Sequence, residues 1–109
     1  MQSSTFTPWG QTYFVGAATP TQVLCSNNQK ATSYRLRNLG TSAAYIAWSA
    51  PTASGATPQI GAVAPSQGTP VPNCIGMVAG SVETISGPAD AWFLASTAAS
   101  FEVTPGEGM

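Results

Sequence analysis

Eleven glycines and nine prolines are spread through 109 residues, falling every few positions along the whole chain. Proline removes a helical hydrogen bond and glycine weakens a helix interior, so no long amphipathic window survives between them. What remains is a series of short apolar or alternating runs separated by turn clusters, the pattern of an all-β antiparallel sandwich or barrel.

The first run, Gln11–Ala17, puts Tyr13 and Val15 on one face and Phe14 on the other. Thr21–Cys25 follows, ended by Ser26-Asn27-Asn28, a turn-forming triplet. In Thr32–Asn38, Tyr34 and Leu36 alternate with Ser33, Arg35 and Arg37, which assigns the first two to the core and both arginines to the outside. Asn38-Leu39-Gly40-Thr41 reads as a turn, and Ala43–Ser49 as the next strand, so these two runs are expected to form a hairpin. Gly76–Ala79 and Val82–Ile85 flank a Gly80-Ser81 turn. Ala91–Ala95 and Ser100–Val103 are expected to form the last hairpin, with Trp92, Leu94, Phe101 and Val103 buried. Thr104-Pro105-Gly106-Glu107-Gly108 should end the fold, since proline and glycine do not continue a central strand.

Two stretches stand outside this pattern. Residues 50–73 are rich in Pro, Gly, Ser, Thr and Ala and carry a brief Gln59–Val63 segment that could add an edge strand. An insert of this length is uncommon in a small domain. It reads either as an arm that contacts a neighbour or as a connection crossing between sheets. Residues 1–10 form an N-terminal arm ahead of a single domain at 11–109. A bare terminus normally frays, yet Phe6 and Trp9 suggest that this one docks, on its own domain or on a neighbour.

Only seven residues are charged, 6% of the chain, against roughly a quarter in an ordinary soluble domain. With 43% hydrophobic residues and a net charge of -1, the chain should fold rather than stay disordered. It lacks the charges that keep a free monomer's surface apart from other surfaces, which suits a protein packed against neighbours. A nucleic-acid footprint of clustered Lys and Arg is missing. No stretch approaches the roughly 20 apolar residues of a membrane-spanning helix. Residues 1–10 show neither the basic nor the apolar region of a signal peptide, so synthesis in the cytoplasm is expected.

Histidine is absent, which rules out a Ser-His-Asp or Cys-His arrangement. Glu83, Asp90, Glu102 and Glu107 are scattered, with no sign of a paired catalytic set. Cys25 and Cys74 are a poor zinc set and are expected as free, buried thiols. No glycine-rich segment matches a phosphate cradle. The expectation is a non-enzyme without metal or cofactor. Arg35 and Arg37 read either as a solvated strand face or as interface anchors, since arginine is enriched at interfaces. Trp9, Trp48 and Trp92 could make a sugar-stacking platform, although a core role suits Trp48 and Trp92 better.

Tyr34-Arg35-Leu36-Arg37-Asn38-Leu39-Gly40-Thr41, followed by Ala44-Tyr45-Ile46-Ala47-Trp48, resembles small virion proteins of tailed bacteriophages. Val71-Pro72, Gly80-Ser81-Val82-Glu83 and Phe101–Gly108 follow in corresponding order, so the likeness runs from about Thr32 to the end. The resemblance implies a jelly-roll-like β-sandwich that assembles on the phage head. By that analogy the chain is a decoration (cement) protein, a homo-oligomer such as a trimer, bound to the major capsid protein on the virion head surface. Phe6 and Trp9 of the arm, Arg35, Arg37 and the 50–73 segment would make the contacts. A carbohydrate- or receptor-binding module on the virion surface and a head–tail connector component are the alternatives.

Overall fold

The computed structural model describes residues 6–26 and 28–108. Residues 1–5 of the expected arm and Asn27 of the expected turn lie outside them. The described residues contain nine strands and no helix: β1 Thr7–Pro8, β2 Tyr13–Val15, β3 Thr21–Gln22, β4 Ser33–Asn38, β5 Ala44–Ser49, β6 Cys74–Met77, β7 Val82–Ser86, β8 Trp92–Ala95 and β9 Phe101–Glu107. They form two antiparallel sheets. The first runs β1-β9-β4-β7, with β2 also on β9; the second runs β3-β8-β5-β6.

The two sheets pack their inner faces on one core. Val15, Tyr34, Leu36, Phe101 and Val103 come from the first sheet, and Ile46, Met77, Phe93 and Ala95 from the second. Tyr34 meets Phe93 edge to face with ring centroids 5.0 Å apart, a contact worth about 0.5–1.5 kcal/mol beyond the area it buries. The Tyr34 hydroxyl donates to the Pro88 carbonyl at 2.6 Å and accepts from the Ala91 N–H at 3.2 Å. The one polar group of this large side chain is therefore satisfied.

Neither expected hairpin forms. β4 pairs with β9 and β7 in the first sheet, whereas β5 pairs with β8 and β6 in the second. β8 and β9 are split between sheets in the same way. Each of these strands has a buried face, and strands adjacent in sequence bury those faces against each other across the core instead of side by side. The turn at 38–43 is thus a crossing. Asn38, 1% exposed, holds it: its side-chain Nδ2 donates to the carbonyls of Ser42, Met77 and Val78 at 3.1, 3.0 and 3.3 Å, and Oδ1 accepts from the Gly40 N–H at 2.9 Å. The Gly80-Ser81 turn is a second crossing, from β6 to β7, with Gly80 at φ 73 and its N–H on the Asn38 carbonyl. A left-handed φ of this kind favours glycine.

β9 does not stop at Thr104. It runs through Pro105 and Gly106 to Glu107, between β4 on one side and β1 and β2 on the other. Proline is tolerated because its missing N–H faces a break in the pairing. β2 pairs in the register Tyr13↔Val103, but β1 resumes at Pro8↔Gly106, and between them the Pro105 carbonyl accepts from the Trp9 N–H at 2.8 Å. Gly106 is required by close approach: a Cβ there would collide with the Thr7 carbonyl and sit 2.8 Å from the Phe6 ring.

In β8 the phase is the reverse of expectation. Phe93 and Ala95 face the core at 0% and 2% exposure, while Trp92 and Leu94 are half-buried on the outer side. Trp-Phe-Leu-Ala is apolar on both faces, so alternation could not set its phase. β2 and β3 are also shorter than the expected runs Gln11–Ala17 and Thr21–Cys25, and Cys25 joins Gly10 through an isolated bridge.

Residues 50–73 join β5 to β6, neighbours in one sheet, so they do not cross between sheets. Gln59–Val63 is not a strand. The segment instead folds back over the outer face of the second sheet. Ala62 is buried, the Val63 carbonyl accepts from Cys74 Sγ at 3.8 Å, and Ile60 and Gly61 line one hollow with Ala47 and Trp48. Ala47, an outer-face residue, is 1% exposed.

Candidate partner-binding face

Residues 50–73 overlie the part of the second sheet's outer face around Ala47 and Cys74, whereas the residues lining a depression on the first sheet's outer face include none of that segment. The layout of the first sheet's outer face follows from the registers. Across the strands, Phe14, Glu102, Arg37 and Val82 form one row, on β2, β9, β4 and β7. The next row holds Thr104, Arg35 and Thr84, with Thr12 joined to Thr104 through their hydroxyls at 2.8 Å. Strands lie about 4.7–4.9 Å apart, so a four-strand row spans about 15 Å.

Phe14 is 66% exposed and Val82 43%. These two apolar side chains close the ends of a row whose middle is an ion pair, Arg37 Nη1 to Glu102 Oε1 at 3.7 Å. Both charged partners are largely solvated, so the pair contributes at most about 1 kcal/mol to stability. Its effect is to fix where two charges stand on the face. Arg35, Arg37, Gly80, Val82, Glu102 and Thr104 line a shallow depression of about 470 Å³. Lys30, the third cation, is held by Asp90 at 2.7 Å and lies elsewhere.

Arg35 and Arg37 therefore stand together on this face. Phe6 and Trp9 do not join them in one cluster. Phe6 is half-buried over Gly106 near the end of β9. Trp9 is half-buried, its N–H on Pro105 and its carbonyl accepting from the Ser26 N–H at 3.0 Å. The described part of the arm thus docks on its own domain. Phe14, Val82 and Glu102 escaped sequence reasoning as site residues. Phe14 carried a signal, an aromatic opposite in phase to Tyr13 and Val15. Trp9, Trp48 and Trp92 are all half-buried; Trp48 packs on the core, while Trp92, diagonal to it in the β5–β8 register, lies on the outer side of β8.

No protein-family model, curated protein or solved structure matches the chain.

Chemistry at the remaining titratable groups is muted. Cys25 and Cys74 are both free and half-buried. Burial pushes each thiol above its usual value, with the Asp90 charge adding to the effect at Cys25. A raised thiol is a poor nucleophile at neutral pH, because the thiolate is the reactive form. Among the described residues, no group of three or more His, Cys, Asp or Glu side chains could hold a metal ion. What this face can do is adhere: apolar contact at Phe14 and Val82, and directional hydrogen bonding from two guanidinium groups.

Proposed function

We propose that this chain is a structural assembly protein, a decoration or cement protein of a tailed-phage head, and that the outer face of its first sheet is the binding surface. The observation that carries the reading is the layout of the first sheet's outer face, which presents Phe14 and Val82 on either side of Arg37 and Glu102, while the second sheet's outer face is partly overlaid by the chain's own 50–73 segment. The low charge of the chain and its likeness to small virion proteins support the same reading. The fold in this proposal is a β-sandwich of jelly-roll type. Its support is the connectivity: every link from β2 to β9 changes sheet except β5 to β6, as two interleaved Greek keys require.

The mechanism is mechanical. Copies seated where major capsid proteins meet bury apolar surface across the seam and raise the cost of opening it. A standard interface buries about 1,600 Å² in total, and repetition over a symmetric shell turns modest affinity into avidity. Homo-oligomerisation, as a trimer, belongs to the same proposal, as does residence on the head surface.

Two measurements test it. Quantitative mass spectrometry of purified particles should find this chain in hundreds of copies; a dozen or fewer would replace the cement reading with a connector, and none would end the virion reading. Separately, a Phe14→Ser, Val82→Ser double variant should fold as stably as the parent yet bind heads at least tenfold more weakly, the change about 1.4 kcal/mol produces. Undiminished binding would remove this face from the proposal.

A further inference from the structure

The same face carries an unbalanced charge. Of the chain's three cations, Lys30 has Asp90 and Arg37 has Glu102. Among the described residues Arg35 has no carboxylate within ion-pair reach, although the depression it lines holds one. We infer that Arg35 is the seat for a carboxylate supplied by an acidic, partly apolar segment of a protein partner. This rests on reading the face as a partner-binding surface, and not on the partner being a capsid.

The surroundings fit that ligand. Arg35 stands between Thr104 on β9 and Thr84 on β7 in the sheet register. A guanidinium offers paired donors matched to the two oxygens of a carboxylate, and a threonine hydroxyl can donate as well. Gly80 at the rim leaves open space, with nothing within 4 Å of where a Cβ would sit. The charge count selects a monoanion. Two arginines and Glu102 leave one net positive charge, and Glu102 would repel the nearly doubled charge of a phosphate more strongly than that of a carboxylate. The shape selects a segment over a small free acid. The depression is shallow, and Phe14 and Val82 beside it gain only from a ligand that brings apolar groups with its carboxylate.

The test is a titration of the ¹⁵N-labelled protein at low ionic strength with three probes: a blocked five-residue peptide alternating Leu and Glu, its Leu/Gln counterpart, and inorganic phosphate. The Glu peptide should give saturable shifts at the Arg35 side-chain Nε and the Thr84 and Thr104 amides. It should bind at least about tenfold more tightly than the Gln peptide, the scale of a charge-assisted hydrogen bond. Arg35→Gln should erase that preference, while Arg37→Gln should leave most of it. Equal shifts with both peptides, a preference surviving in Arg35→Gln, no shifts at these residues, or tighter saturation by phosphate would each overturn the inference. The head-binding comparison of the Phe14/Val82 variant stands apart from this titration. A failed titration with intact loss of head binding removes the carboxylate seat alone, and the reverse result removes this face from head binding while leaving the carboxylate seat in place.

Discussion

Replacing Asn38 with alanine would test whether one buried amide holds two sheet-crossing loops together. Its side chain is 1% exposed and joins the 38–43 crossing to the 77–81 crossing through three carbonyl acceptors and the Gly40 N–H. An NH₂ group has two protons, so the three donations are shared and the deletion removes about three hydrogen bonds in all. Each is worth about 1 kcal/mol net, and a stranded buried carbonyl costs about 1–3 kcal/mol. Partial access of water to Ser42 and Val78 reduces the total, which we place at about 3 kcal/mol. That is a large share of the 5–15 kcal/mol typical of a domain, and about 12–24 °C in Tm. Urea unfolding followed by tryptophan fluorescence and by circular dichroism should show a lower midpoint at unchanged slope. Asn38→Asp keeps the shape and the acceptor but sets a carboxylate against the same carbonyls. It should cost at least as much at neutral pH and recover part of the loss on acidification. A loss below about 1 kcal/mol in Asn38→Ala would refute the assignment of the amide as the clasp of both crossings.

Two other perturbations follow from the same geometry. Gly106→Ala should push β1 off β9 by the collision with the Thr7 carbonyl, costing about 1–3 kcal/mol; hydrogen exchange at the Trp9 amide, bonded to Pro105 in the parent, should accelerate, and unchanged protection there would contradict the account. Tyr34→Phe strands the Pro88 carbonyl and the Ala91 N–H at about 1–3 kcal/mol near neutral pH. Burial raises the Tyr34 hydroxyl above its usual 10.0 and both thiols above 9.0, so the folded state keeps these protons where the unfolded chain has lost them. Stability should therefore be level through neutral pH and fall from about pH 9 upward. The gap between Tyr34→Phe and the parent should narrow above pH 10, and a constant gap in alkaline unfolding curves would show that the hydroxyl is not the group responsible.

The sequence made the strand content and several phases readable, and the pairing unreadable. Alternation placed Tyr34 and Leu36 inside and both arginines outside, because β4 has one polar and one apolar face. It failed in β8, where the outer face is also half-covered and hydrophobicity is continuous. Short turns suggested hairpins, but turn length is a local property and cannot say whether the next strand lies beside the last or across the core. Asn38 carried that decision, and its signal was only that of a turn residue. Pro105 misled for a related reason. The rule against proline in a central strand concerns its missing N–H, and here that N–H would have faced the register break between β2 and β1.

The candidate face was half visible for the same physical reason. Which residues share it follows from period-two alternation within each strand, so Arg35 with Arg37, and Phe14 opposite Val15, could be read from the chain. Which face is open could not, because that depends on where residues 50–73 come to rest. Their composition gives them no strand or helix of their own, and their position shows only in the fold, where the Val63 carbonyl accepts from Cys74 Sγ, Ala62 is buried, and Ile60 lines one hollow with Ala47 and Trp48. With that loop over part of the second sheet, the few charges acquire a location. Of seven charged residues, three stand on this face, and one of those, Arg35, has no carboxylate within ion-pair reach among the described residues. That guanidinium, beside exposed Phe14 and Val82, is why the proposed interface assigns adhesion to apolar contact and register to a single arginine.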